Sequence, residues 1–132
     1  MKFGKKILAC ILTFSIVFSF CIFPTTKVKA YTFSIGSLTV QDYYRKWATA
    51  ATTSAGVVYV SLSISTYNQV THSYSGDGTG GVGYITVSKT LNTDSSSVIM
   101  SASSTHNDEY IGVYGSWYLD YLGNGQYYFY YM

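Results

Sequence analysis

A chain of 132 residues with 11% charged side chains and a nominal net charge of +2 falls outside two classes: strongly basic nucleic-acid binders and highly charged, aromatic-poor disordered chains. Even that small positive charge is confined to the N-terminus. Five of the eight Lys and Arg residues lie in the first 30 positions, and Tyr31 to Met132 carries Arg45, Lys46 and Lys89 against Asp42, Asp77, Asp94, Asp108, Glu109 and Asp120, a net of −3.

The N-terminus reads as an export signal. Lys2, Lys5 and Lys6 precede an apolar run from Ile7 to Phe23, then Pro24, then Val28-Lys29-Ala30, which is a small-residue cleavage pattern. A membrane anchor is the rival reading of so apolar a stretch. Thr13, Ser15, Ser19 and Pro24 weigh against it. Ile7-Leu8-Ala9-Cys10 superficially resembles a lipidation site, but too few apolar residues precede Cys10. The expectation is therefore a secreted, extracellular chain cut after Ala30, with residues 1–30 as signal and 31–132 as a single domain. Cleavage would remove both cysteines and the only proline, so the remainder depends on its core and not on disulfides or thiolate metal sites.

The exported part holds all 15 tyrosines, and serine and threonine fill most polar positions. Tyrosine and threonine favour pleated, half-buried surfaces. Alternating or apolar runs occupy 32–40, 57–67, 70–75, 82–91, 98–102, 110–121 and 127–132, with the clearest alternation at Val58, Val60, Leu62 and Ile64. Turn-type residues separate them at 67–68, 76–81, 92–96, 105–108 and 123–125. This spacing predicts an all-β chain: an antiparallel β-sandwich or small barrel of about seven strands. Only 41–53, with Tyr44, Trp47, Ala48 and Ala51 at helical spacing, suggests a short helix.

Four features bear on function. Asn124-Gly125 between two aromatic runs signals a two-residue hairpin turn. The resulting register sets Tyr121 opposite Tyr128 and Trp117 opposite Met132, leaving Tyr110, Tyr114, Tyr118, Asp120, Tyr127, Phe129 and Tyr131 on the other face. Such a platform is either covered by packing or used for stacking on sugar rings or a protein, since bare aromatics on a sheet edge invite aggregation. Gly78 to Gly83 spell GxGxxG, yet Tyr84 to Ser88 continue as strand, not helix. A flexible hairpin loop is expected there, and nucleotide or calcium binding is not. His72 alternates with Val70 and Tyr74, suggesting a partly buried, hydrogen-bonded ring. His106-Asn107-Asp108-Glu109 reads as a solvated turn, and no nucleophile elbow or metalloprotease helix accompanies either histidine.

The sequence thus predicts a non-enzymatic extracellular β-sandwich that binds a cell-surface glycan or protein through its tyrosine face, with no cofactor, metal or nucleic acid. The alternative is a secreted bacteriocin or pore-forming toxin acting on membranes through a hairpin at 57–75, whose strand length suits a bilayer.

Overall fold

The computed structural model describes residues 28–132. The expected signal lies outside the described residues, apart from Val28 to Ala30 at the start of the first strand. Seven strands follow in order: β1 (Val28–Phe33), β2 (Gly36–Gln41), β3 (Trp47–Asn68), β4 (Ser73–Asn92), β5 (Ser97–Asn107), β6 (Gly112–Leu119) and β7 (Gly125–Tyr131). They form one antiparallel sheet nearly closed into a barrel, in agreement with the fold class read from the sequence. Cleavage after Ala30 would leave Tyr31, Thr32 and Phe33 of β1 paired with Leu38, Ser37 and Gly36.

The long strand β3 organises the molecule. β4 runs along the whole of one edge, and the other edge is shared by β2, at 48–52, and β5, at 59–68. Between Thr53 and Val57 the pairing with β4 slips, so that Ser54, Ala55 and Gly56 oppose Ile85 alone, and Ile85 takes a φ of 68°. An extra-residue bulge of this kind bends a strand and lets it pass from one layer to another. The bend folds β3 back over itself. Thr93 N–H donates to the Lys46 carbonyl and Ile99 N–H to the Arg45 carbonyl, 2.8 and 2.9 Å, bringing the start of β3 beside β5, which pairs with its end.

Both halves of β3 turn the same face inward. Ala48, Ala50 and Thr52 from the first half, and Val58, Val60, Leu62 and Ile64 from the second, are buried with Leu38, Val40, Ile99, Ala102, Val113 and Trp117. The proposed helix at 41–53 is corrected accordingly. Asp42 to Tyr44 form a turn and strand begins at Trp47. From 48 to 52, pairing with β2 on one side and β4 on the other supplies partners for the backbone groups, which outweighs the helix preference of alanine.

Other boundaries move as well. The run at 32–40 is two strands joined by a tight turn at Ser34-Ile35. The glycine run is not a loop but the first half of β4, with the hairpin turning instead at 69–72. Gly83 is required there because the folded hairpin brings the backbone of its own second half underneath, while at Gly81 the nearest neighbour is the movable end of the Lys89 side chain. A Cβ on Gly83 would lie 2.3 Å from the Thr86 carbonyl, and one on Gly81 would lie 2.5 Å from Lys89 Cε.

The β6–β7 hairpin departs furthest from the sequence register. Its loop is Asp120 to Asn124 and not Asn124-Gly125. Gly123 N–H donates to the Asp120 carbonyl and Asp120 N–H to the Asn124 carbonyl, both 3.0 Å, while Gly123 takes a φ of 82°. Asp at the first turn position and Gly at the fourth suit a type I turn followed by a left-handed residue. The Asp120 carboxylate also accepts from Leu122 and Asn124 N–H, each at 2.9 Å. Asp120→Ala is expected to cost about 1 kcal/mol by freeing these donors. A urea titration checks this, and an unchanged midpoint would count against the turn as drawn.

Candidate binding face

With that loop, Trp117 pairs with Tyr127, Gly115 with Phe129 and Val113 with Tyr131, while Tyr118 pairs with Gln126, Ser116 with Tyr128 and Tyr114 with Tyr130. Compared with the expected hairpin, β7 is turned over. The platform residues therefore separate. Tyr114 and Tyr118 face outward on β6, as expected. Tyr127 points inward, its hydroxyl accepting from Val40 N–H at 3.1 Å and so tying β7 to β2, and burial pushes its pKa up to about 12. Phe129 also lies inward, its ring 6.1 Å from His106. Tyr131 shares that side, edge-on to Phe33 at 5.0 Å. Tyr110 stands in the β5–β6 loop, 87% exposed, and Asp120 is occupied with its turn.

The outward tyrosines form two cross-strand pairs that the sequence register missed. Tyr118 and Tyr128 stack with centroids 5.7 Å apart and planes at 4°, their hydroxyls sharing Gln126 Oε1. This shared hydrogen-bonding raises the pKa of Tyr118 above the usual phenol value, the Tyr128 hydroxyl being the main cause. Tyr114 and Tyr130 meet at 5.0 Å. Such pairs add about 0.5–1.5 kcal/mol beyond area burial. The signal that locates them is Asp120 three residues before Gly123, which fixes the loop.

Beyond these tyrosines the same outer face is nearly bare of bulk. One cross-strand row reads Gly78, Ser63, Ser103, Ser116 and Tyr128 across β4, β3, β5, β6 and β7. The row on one side is Gly80, Ser61, Thr105, Tyr114 and Tyr130, and the row on the other is Gly76, Ser65, Ser101, Tyr118 and Gln126. At sheet spacings these rows make a floor about 19 Å wide and about 14 Å long. Ser61 Oγ and Thr105 Oγ1 are hydrogen-bonded on it. Tyrosines frame three sides: Tyr114, Tyr118, Tyr128 and Tyr130 along β6–β7, Tyr59 with Tyr84 towards the bend, and Tyr67 with Tyr74 towards the hairpin tip. Among the described residues the fourth side, along β4, is open.

No protein-family model, curated protein or solved structure matches the chain.

The histidines exchange the environments expected of them. His72 is exposed at the hairpin tip, with a φ of 56° and a 2.8 Å hydrogen bond between Nδ1 and the Tyr67 hydroxyl. His106 is not in a turn. It lies near the end of β5 and is fully buried, with Nδ1 3.0 Å from Thr52 Oγ1 and Nε2 2.7 Å from Ser104 Oγ. Thr52 gives its own hydroxyl proton to the Tyr59 carbonyl, so Nδ1 carries the ring proton and Nε2 accepts from Ser104. Desolvation is the main cause lowering its pKa, to about 4. Gly36 is closed to substitution by this ring, since a Cβ there would lie 2.5 Å from His106 Cγ. The adjoining Asp108 accepts from Ser54 Oγ, Tyr110 N–H and Ile111 N–H, which holds its carboxyl below the ordinary aspartate value and ties the β3 bend to the β5–β6 loop.

Proposed function

We propose that the protein is a non-enzymatic extracellular binding module that holds a glycan of the cell surface on the outer face of β3, β5, β6 and β7. The observation that carries this reading is the hydroxyl-lined floor framed by paired tyrosines. Serine and threonine hydroxyls both donate and accept, which suits the dense hydroxyls of a saccharide, and tyrosine supplies apolar ring surface together with a polar tip. A floor without bulk admits an extended ligand of several sugar rings. The framing tyrosines give it lateral limits.

The membrane-active alternative draws on the same long hairpin but receives less support from its second strand. Opposite Val60, Leu62 and Ile64 on β3, β4 supplies Gly81, Thr79 and Asp77. A hairpin that spans lipid needs an apolar face on both strands.

Sedimentation of the protein with insoluble cell-wall polysaccharide is the direct test, set against Tyr128→Ala/Tyr130→Ala and Ser63→Arg variants. Tyrosine anchors at interfaces typically account for about 2 kcal/mol or more each, so at least a tenfold weaker Kd is expected for the tyrosine variant. Ser63 is exposed, so its replacement should change stability by less than about 0.5 kcal/mol while obstructing the floor. Equal binding by all three proteins, with unchanged thermal melting, would refute the reading.

A further inference from the structure

We propose that β4 is the contact strand of a symmetric homodimer, in which two copies pair antiparallel around a two-fold axis at Thr79. This goes beyond the binding face and holds whatever ligand that face takes. Among the described residues β4 is paired with β3 alone, and its other edge meets no further strand past Tyr74, Asp77, Thr79 and Tyr84, with Gly78 N–H given to Asp77 Oδ1 at 2.8 Å. Long open edges are normally blunted or covered.

The edge complements itself in one register. Centred on Thr79, Tyr74 of one copy stands opposite Tyr84 of the other, Gly76 opposite Val82, Asp77 opposite Gly81, and Gly78 opposite Gly80. Tyr74 and Tyr84 lie on the outer face, 71% and 72% exposed, and the pairing would cover both as aromatic cross-strand neighbours, twice. Asp77 and Lys89 lie on the inner side, and neither makes an ion pair within the described chain. Lys89 crosses under the strand so that its Nζ lies 3.3 Å from the Cβ position of Gly81. Opposed Cβ positions in an antiparallel pair are about 4.5–5.5 Å apart. The Asp77 carboxylate of each copy therefore comes within reach of the other copy's Lys89, giving two symmetric ion pairs under the seam. On the outer face the centre of the seam is Gly78 and Gly80, flanked by Val82 and then by Tyr74 and Tyr84, so the two hydroxyl floors join through a central gap that holds no side chain. The open side of each floor becomes the middle of one surface with tyrosine walls at both ends.

Charge exchange on the full chain tests this. Sedimentation velocity is expected to show the wild type as a dimer, and Asp77→Lys and Lys89→Asp each at least tenfold weaker in self-association, because each sets like charges together. An equimolar mixture of the two variants should recover the dimer, since every cross-copy pair is then opposite in charge. A wild type that stays monomeric up to about 1 mM, single variants that dimerise as well as the wild type, or a mixture without recovery would each overturn the proposal. Should either variant fail to fold, amide exchange on the wild type decides. Protection at 76–82 that rises with protein concentration supports the dimer, and exchange independent of concentration refutes it. None of these measurements involves a saccharide, so the dimer and the binding face fail separately.

Discussion

Between about pH 6.5 and 4 the folded protein is expected to lose on the order of 3 kcal/mol of stability through His106 alone. The ring is buried and neutral, with Nδ1–H given to Thr52 and Nε2 receiving Ser104. Protonation would place a second donor at Nε2, where the ring now accepts from Ser104, and would put a charge in a fully buried site, the desolvation that lowers its pKa. In the unfolded chain the same imidazole takes a proton near pH 6.5. The unfolded state thus binds more protons throughout the window, and stability falls as pH falls. The contribution is fully present above about pH 6.5, declines towards pH 4, and is flat below that. Urea unfolding at pH 7.5 and 4.5 measures it. His106→Gln, which keeps a polar side chain but cannot titrate, is expected to lower stability at pH 7.5 and to abolish most of the difference between the two pH values. A wild-type midpoint that does not move between them would contradict the buried neutral ring. The carboxylates act at lower pH, because Asp94 and Asp108 titrate below the ordinary aspartate value, so the histidine window is separable.

The parts of this fold legible in the sequence are those where one face is dry and the other wet. Val58 to Ile64 alternate because β3 has the core on one side and the serine floor on the other, whereas the count of about seven strands is reached because the run at 32–40 divides into β1 and β2 while those at 70–75 and 82–91 merge in β4. The pattern fails where small residues serve both faces. Ala48 and Ala50 are buried without bulk, so their period of two is hidden behind helix propensity. The glycines of β4 resemble a loop because composition cannot show that a folded hairpin will pack against its own second half, which Gly83 permits. His106 is misread for a related reason. Its neighbours Asn107 and Asp108 are polar, but the residues that enclose its ring, Thr52, Ser104, Gly36 and Phe129, come from four strands. For the binding face, the sequence signals its chemistry but not its register. An odd shift in the pairing of β7 turns every side chain to the opposite face, which exchanges Tyr127 and Tyr131 for Tyr128 and Tyr130.

That register carries the second large effect. Trp117 is 3% exposed in the core cluster, its ring 6.2 Å from Tyr127, and it covers Gly125 so closely that a Cβ there would fall 2.3 Å from the indole nitrogen. Trp117→Ala is expected to cost about 3–5 kcal/mol. Against a total of about 5–15 kcal/mol for such a domain, that loss leaves the chain marginal, with a fall in Tm of about 15 °C or more. The pairing can be tested apart from the burial. In a double-mutant cycle, Trp117→Ala with Tyr127→Ala should be non-additive by about 0.5–1.5 kcal/mol, since the rings are in contact. The two-residue turn at Asn124-Gly125 would instead set Trp117 opposite Met132. Met132 is 63% exposed and lies beside Gly112, its N–H on the Gly112 carbonyl, at the far end of β6. The Trp117–Met132 cycle should therefore be additive. Coupling to Met132 without coupling to Tyr127 would restore the shorter turn and with it the platform of Tyr127 and Tyr131. The opposite result keeps Tyr128 and Tyr130 on the surface, where paired tyrosines border the hydroxyl floor.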